Sequence, residues 1–148
     1  MNAVIRRAKP EDIPALVSLL RLLFSIEKDF VFDAAKQERG LRLLLSRAEA
    51  AVFAAEQDGE VIGMCTGQLL ISTAQGGLSA LIEDVVVQPA HQGKGIGRQL
   101  VAAAEVWAVS QGASRIQLLA DQNNTPALAF YQKIGLQRTA MICLRKML

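Results

Sequence analysis

Three glycines at alternating positions, Gly93, Gly95 and Gly97, fall within the stretch QGKGIG, between an apolar run, LIEDVVV, and a helical pattern, RQLVAAAEVWAVSQG. Glycine has no Cβ, so backbone N–H groups beside it can come close to an incoming group. The start of a helix adds unpaired amides and the positive end of the dipole. Together these are the parts of a phosphate cradle, with a plain glycine turn that opens a helix as the alternative. The spacing argues against two other glycine motifs. A P-loop needs Gly-Lys followed by Ser or Thr, whereas Gly95 follows Lys94. A dinucleotide fingerprint needs GxGxxG in the first βα unit; this is GxGxG after several strands, although Asp121 ends the next strand much as a ribose-binding acid would. Two carboxylates, Glu83 and Asp84, stand in the run just before the loop. Period-two alternation puts Glu83 with Leu81 and Val85 on one face and Asp84 with Ile82 and Val86 on the other, so one of the two is expected to face a site, unless a bulge near Val85 changes the parity.

The surrounding pattern supplies the frame. VIRRA reads as a short strand. Pro10, Glu11 and Asp12 suit a helix start, and Ile13, Leu16, Val17, Leu20, Leu23 and Phe24 recur at helical spacing. EKDFVFD interrupts that pattern, and a second helix follows Asp33, an expected N-cap, with Gly40 casting doubt on its continuity. AAVFAAEQ, the turn Asp58-Gly59 and EVIGMCTGQLLI form a hairpin, which LSALIEDVVV extends into an antiparallel meander. After the loop come a helix from Arg98 to about Ser110, a strand RIQLLA, a helix containing PALAFYQKI, and one or two final strands in LQRTAMICLRKML. The order βααβββαβαβ is mixed α/β with no repeat or linker, and residues 1–148 are read as one domain.

Sixteen Lys and Arg against fourteen Asp and Glu leave a net charge of +2, too small and dispersed to signal nucleic acid or a membrane surface. Cys65 and Cys143 lie far apart on apolar stretches and are read as core; with His91 the only histidine, and read as solvated, no metal site is expected. Trp107, the only tryptophan, is assigned to packing. No run reaches the roughly 18 apolar residues of a membrane span and no signal peptide is visible, so the expected location is the cytoplasm.

The stretch IEDVVVQPAHQGKGIGRQL resembles the coenzyme A signature of the GCN5-related N-acetyltransferase (GNAT) family, with Gln92, Gly95 and Gly97 matching its core pattern of Arg or Gln, two residues, Gly, one residue, Gly or Ala. NNTPALAFYQKIGL resembles a second motif of that family, with Asn124, Ala127, Tyr131 and Gly135 in register and Leu136 where Phe is usual. The likeness extends in element order over nearly the whole chain. It implies a mostly antiparallel twisted sheet containing a splayed parallel strand pair, flanked by about four helices. It also implies acetyl-CoA as co-substrate and direct acetyl transfer to a primary amine of a small molecule or peptide. Homodimers are common in the family, although no residue of the sequence fixes the assembly. A catalytically silent acyl-CoA sensor stands as an alternative function, and a nicotinamide-dependent oxidoreductase as a more remote one.

The resemblance also assigns roles. The amides of Gln92, Gly93, Lys94, Gly95, Ile96, Gly97 and Arg98 would wrap the pyrophosphate, while the charges of Lys94 and Arg98 go either to phosphate or to solvent. Backbone groups of Val85, Val86 and Val87 would pair with pantetheine, one of them polarising the thioester carbonyl. Glu83 holds the place of the family's general base, with Asp84 or water as the other choices. Tyr131 would protonate the departing thiolate. Asn124 would contact the cofactor, cap a helix, or do both. The connection EKDFVFD corresponds to a variable wall of the acceptor pocket, where Glu27, Asp29, Phe30 and Phe32 would suit a cationic amine.

Overall fold

Apolar β-formers on either side of Asp58-Gly59 build the centre of the sheet. In the computed structural model, which describes residues 2–148, β2 (Ala50–Gln57) and β3 (Glu60–Ser72) pair antiparallel across this turn. Asp58 and Gly59 both have positive φ, 52° and 81°, as a two-residue hairpin turn requires. β1 (Val4–Arg7) joins the far side of β2, and β4 (Gly77–Val87) extends the meander beyond β3. The strand after the glycine loop, β5 (Ala113–Leu118), lies parallel to β4, giving the order β1-β2-β3-β4-β5.

Each face of the sheet carries its own apolar core. Helices α1 (Ile13–Ile26) and α2 (Ala34–Leu45) cover one face, where Leu16, Leu20, Leu23 and Leu41 meet Val52, Met64 and Val86. Helix α3 (Ile96–Ser110) covers the other, where Leu100, Ala104 and Trp107 meet Phe53, Cys65 and Ile82. Gly67 makes room for Trp107: a Cβ there would sit 2.9 Å from the indole ring. A charged knot fixes the entry to α1. The Arg6 guanidinium donates to both Asp12 oxygens at 2.7 and 2.9 Å and to Glu56 at 2.6 Å, holding the Asp12 carboxyl below its ordinary range. Asp33 caps α2 by accepting from the Ala35 and Lys36 amides. The helix runs unbroken through Gly40, helped by the cap and by the Glu38–Arg42 ion pair one turn apart.

Helix α4 (Thr125–Lys133) closes the described secondary structure. Three expectations fail here. Residues 136–148 form no strand, because their backbone finds no ladder partner among the described residues, and Cys143, expected in the core, is exposed with them. The strand read as RIQLLA ends at Leu118, leaving Leu119 outside the sheet and exposed. No helix among the described residues is long and apolar enough to cross a membrane.

Candidate functional site

The glycine loop leaves β4 through a short 3-10 turn at Pro89–His91. The Gln92 side-chain amide donates back to the Val87 carbonyl at 3.0 Å, tying the loop to the end of the strand. Gly93 and Gly95 take positive φ, 76° and 81°, where a side chain would strain the backbone. Gly95 is the N-cap of α3, and no side chain caps the helix. The first helical bond runs from Gln99 N to Gly95 O, 3.1 Å, so the preceding amides, through Arg98, have no partner within the helix. A Cβ on Gly95 would find its nearest heavy atom 4.0 Å away, so the mouth of this amide ring is open. Gly97 has a different reason to be glycine: its Cβ would meet the Phe130 ring at 3.3 Å, which lets α4 dock on the first turn of α3. Lys94 and Arg98 are exposed at the rim.

Beside the loop, the parallel pair comes apart. β5 follows β4 only as far as Ile82↔Leu118, while β4 continues to Val87. The β4 edge along Val85, Val86 and Val87 therefore faces a gap, although Val86 and Val87 bury their side chains in opposite cores. A bulge lies in the same stretch. Met64 pairs with Val86 and Thr66 with Glu83, so Cys65 alone opposes Asp84 and Val85, and Asp84 takes φ 55°. The extra residue breaks strict alternation. Glu83 is the cross-strand partner of Thr66, and Thr66 Oγ1 donates to Asp84 Oδ2 at 3.2 Å, so both carboxylates lie on the α1–α2 face. Val85 turns with Val87 toward α3.

The two carboxylates are not equivalent. Glu83 is exposed, whereas Asp84 is largely withdrawn from water. Burial, with the Glu83 charge adding to it, pushes the Asp84 carboxyl from an ordinary 3.8 up to about 6. Asp84 borders a cavity of about 580 Å³ between α1, α2 and the sheet, with Leu20, Phe24, Leu41 and Gln68 in its wall. A smaller hollow of about 350 Å³, by Pro10, Val17 and Arg42, lies away from loop and bulge. Glu27, at the end of α1, is raised by its own burial and then by Asp84, Asp121, Asp29 and Glu83, in that order, which places it within reach of all four charges. Tyr131 approaches from α4, its ring edge-on to Phe130 at 5.2 Å. Burial pushes its hydroxyl up to about 12, with smaller contributions from Glu27 and Cys65. The Cys65 thiol, also pushed up to about 12 by burial, donates to the Leu100 carbonyl.

Other expected site residues are occupied differently. Asn124 Oδ1 accepts from the Ala127 amide at 3.2 Å and caps α4. Phe30 meets Phe24 in a tilted pair with ring centres 5.3 Å apart, and Arg145 lies over the Phe30 ring, 5.0 Å from its centre and 3.6 Å from Asp29. Arg21 lies 4.7 Å over Phe32. The chain's own arginines thus hold the positions on this wall that suit a cation. His91 is half-buried, its Nδ1 without a hydrogen-bond partner among the described residues. The sequence reading passed over Thr66, whose hydroxyl orients Asp84; a threonine in an apolar strand carries no signal of that role.

A family model described as the acetyltransferase (GNAT) family matches residues 13–136. The chain belongs to the GNAT acetyltransferase family. An aminoglycoside N(6′)-acetyltransferase type 1 from Stenotrophomonas maltophilia is 30% identical over 142 residues, covering 93% of this chain and 88% of its own. Among solved structures, a transcriptional regulator from Bacillus halodurans C-125 superposes with a TM-score of 0.86 at 27% identity, covering 99% of both chains. An aminoglycoside N-acetyltransferase in complex with CoA superposes equally well, TM-score 0.86, over 98% of this chain and 94% of its own; at 19% identity it shows the fold alone.

Proposed function

We propose that this GNAT protein transfers the acetyl group of acetyl-CoA directly to a primary amine, with a small cationic molecule as acceptor. The observation that carries the reading is the meeting of three features at one end of β4: unpaired amides from Gly95 to Arg98, a strand edge left free beyond Ile82, and the withdrawn carboxylate of Asp84 over a cavity. The amide ring fits a pyrophosphate, since it is open, uncapped and at the positive end of a 15-residue helix. The free edge at Val85 to Val87 offers N–H and C=O groups to an extended amide chain and a donor for the oxygen that gains charge at the thioester carbon.

Asp84 takes the base role that the sequence assigned to Glu83. At about 6 its carboxyl is ionised at neutral pH. The attacking nitrogen becomes acidic as its bond to the acyl carbon forms, so a carboxylate of this strength suffices to receive the proton. The C–S bond then breaks, and Tyr131, protonated throughout the neutral range, supplies a proton to the departing sulfur. Glu83 stands exposed on the same face near Glu27, and the cavity wall itself carries Lys36 and Arg47 beside Glu49 and Asp84. The Stenotrophomonas relative, an enzyme of aminoglycosides, supports an acceptor with a second positive charge. The test is coenzyme A release with diamines, polyamines, aminoglycosides, amino acids and lysine peptides, alongside thermal shifts with acetyl-CoA and NAD. Acetyl-CoA should stabilise the protein and a polycationic amine should turn over fastest. Stabilisation by NAD alone, or acetyl-CoA binding with no amine consumed, would overturn the reading.

A further inference from the structure

On the connection between α1 and α2 the chain supplies a cation of its own. Asp29 and Phe30 present a carboxylate and a ring side by side, and the Arg145 guanidinium fills the space they share, 3.6 Å from the Asp29 carboxylate and 5.0 Å over the Phe30 ring centre. A guanidinium that meets a carboxylate and a ring face together makes the contacts that a bound organic cation makes. The pair lies beside the Asp84 cavity. Phe30 packs on Phe24, and Phe24 stands in the wall of the space of about 580 Å³ that Asp84 borders. Glu27, at the end of α1, senses the charges of both Asp29 and Asp84.

The segment that brings Arg145 there is loosely attached. Every residue from 137 to 148 is exposed. The last main-chain bond before them is Leu136 N to Tyr131 O, and within them only the Met141 amide finds a partner among the described residues, the Thr139 hydroxyl. The Arg145–Asp29 contact is the one ion pair that ties the segment to the rest of the described residues. Its side chains are 41% and 75% exposed, so water screens the pair and the contact opens readily. Arg21, over Phe32, differs in that it projects from α1 and is a fixed part of the wall.

We propose that residues 137–148 are an intramolecular strap whose Arg145 occupies the seat for the distal positive charge of the acceptor, so that a dicationic amine must displace Arg145 to bind. The strap rests on the acetyl-transfer reading for its effect on turnover and is otherwise a binding property. It selects among amines, because only one with a second cation competes for Asp29 and Phe30. A seat filled for about two-thirds to nine-tenths of the time weakens a competing cation about three- to ten-fold, the range that a screened ion pair with a cation–ring contact supports.

Cys143 lies two residues from Arg145 and is exposed, whereas Cys65 is buried, so a thiol-reactive fluorophore marks the strap alone. The probes are 4-aminobutylguanidine, which joins a guanidinium to a primary amine, and n-butylamine, which lacks the guanidinium. With the full chain and no acetyl-CoA, 4-aminobutylguanidine should lower the anisotropy of the label as the segment is released, n-butylamine at equal ionic strength should not, and Arg145→Gln should show the released value from the start. Asp29 serves strap and ligand alike, which separates the two variants in calorimetric titration. Arg145→Gln should bind 4-aminobutylguanidine about three- to ten-fold more tightly than the parent, while Asp29→Asn, although its strap is also released, should show no such gain. In coenzyme A release, KM for this amine should follow the same order. No turnover with the binding results intact would count against the transfer reading and for the strap. A parent anisotropy equal to that of Arg145→Gln, no release by 4-aminobutylguanidine, release by n-butylamine as readily, or an affinity unchanged in Arg145→Gln would each overturn the strap.

Discussion

Replacing Asp84 by Asn tests the base assignment and the burial of that carboxylate together. Asparagine tolerates the left-handed backbone at φ 55° and keeps an oxygen for the Thr66 hydroxyl, so the bulge should survive. The carboxyl moves from 3.8 to about 6 on folding, which corresponds to about 3 kcal/mol of unfavourable burial of the charged form. The folded state holds this proton more tightly than the unfolded chain. The associated stability is present below pH 3.8 and is lost as pH rises through about 6. Above pH 7, therefore, Asp84→Asn should be more stable than the parent by up to about 3 kcal/mol, and near the lower limit the two should converge. Thermal unfolding at pH 8 should show a gain of several degrees, at about 2–4 °C per kcal/mol. In coenzyme A release, the parent's kcat/KM should fall about ten-fold per pH unit below 6, and the variant should lose that limb together with about 100-fold or more of its rate. A stability difference independent of pH, or an acid limb near 6 that persists in Asp84→Asn, would refute the reasoning.

Glu83→Gln should retain the acid limb but move it to lower pH, because the Glu83 charge helps hold the Asp84 carboxyl up; a pH profile of kcat/KM checks this. Tyr131→Phe should lower kcat by about 100-fold while leaving acetyl-CoA affinity near that of the parent, as measured by steady-state kinetics and calorimetric titration. Gly95→Val, which forces a branched side chain into φ 81°, should weaken acetyl-CoA binding by about ten-fold or more in the same titration. Gly67→Ala should cost about 1–3 kcal/mol in denaturant unfolding, because its Cβ would sit 2.9 Å from Trp107, with little effect on KM.

Much of the frame was legible locally. The Asp58-Gly59 turn, the helical spacing of Ile13 to Phe24 and the caps at Asp33 and Asn124 are set by residues a few positions apart, and the structure keeps each of them. The glycine loop was legible for a similar reason: positive φ and an uncapped helix start are backbone demands that glycine alone answers easily. Its three glycines were not distinguishable by type, however. Gly93 and Gly95 serve backbone conformation, while Gly97 admits a ring from α4 some thirty residues along the chain.

The carboxylates mark the boundary most clearly. Residue order alone established that two acids precede the loop on an apolar strand, and alternation then assigned them to opposite faces. A bulge depends on how β4 registers against β3, and that register is a property of two strands together; it set Asp84 and Glu83 on one face and left only Asp84 withdrawn from water. The segment 137–148 shows the same limit from the other side. Its apolar run reads as a strand because composition is local, but a strand exists only where another backbone supplies its hydrogen bonds, and among the described residues none does. Local chemistry thus determined most of the elements, the glycine loop and the candidate acids and bases, whereas pairing across the sheet decided which carboxylate is withdrawn from water, where β4 and β5 part, and which expected strand does not form.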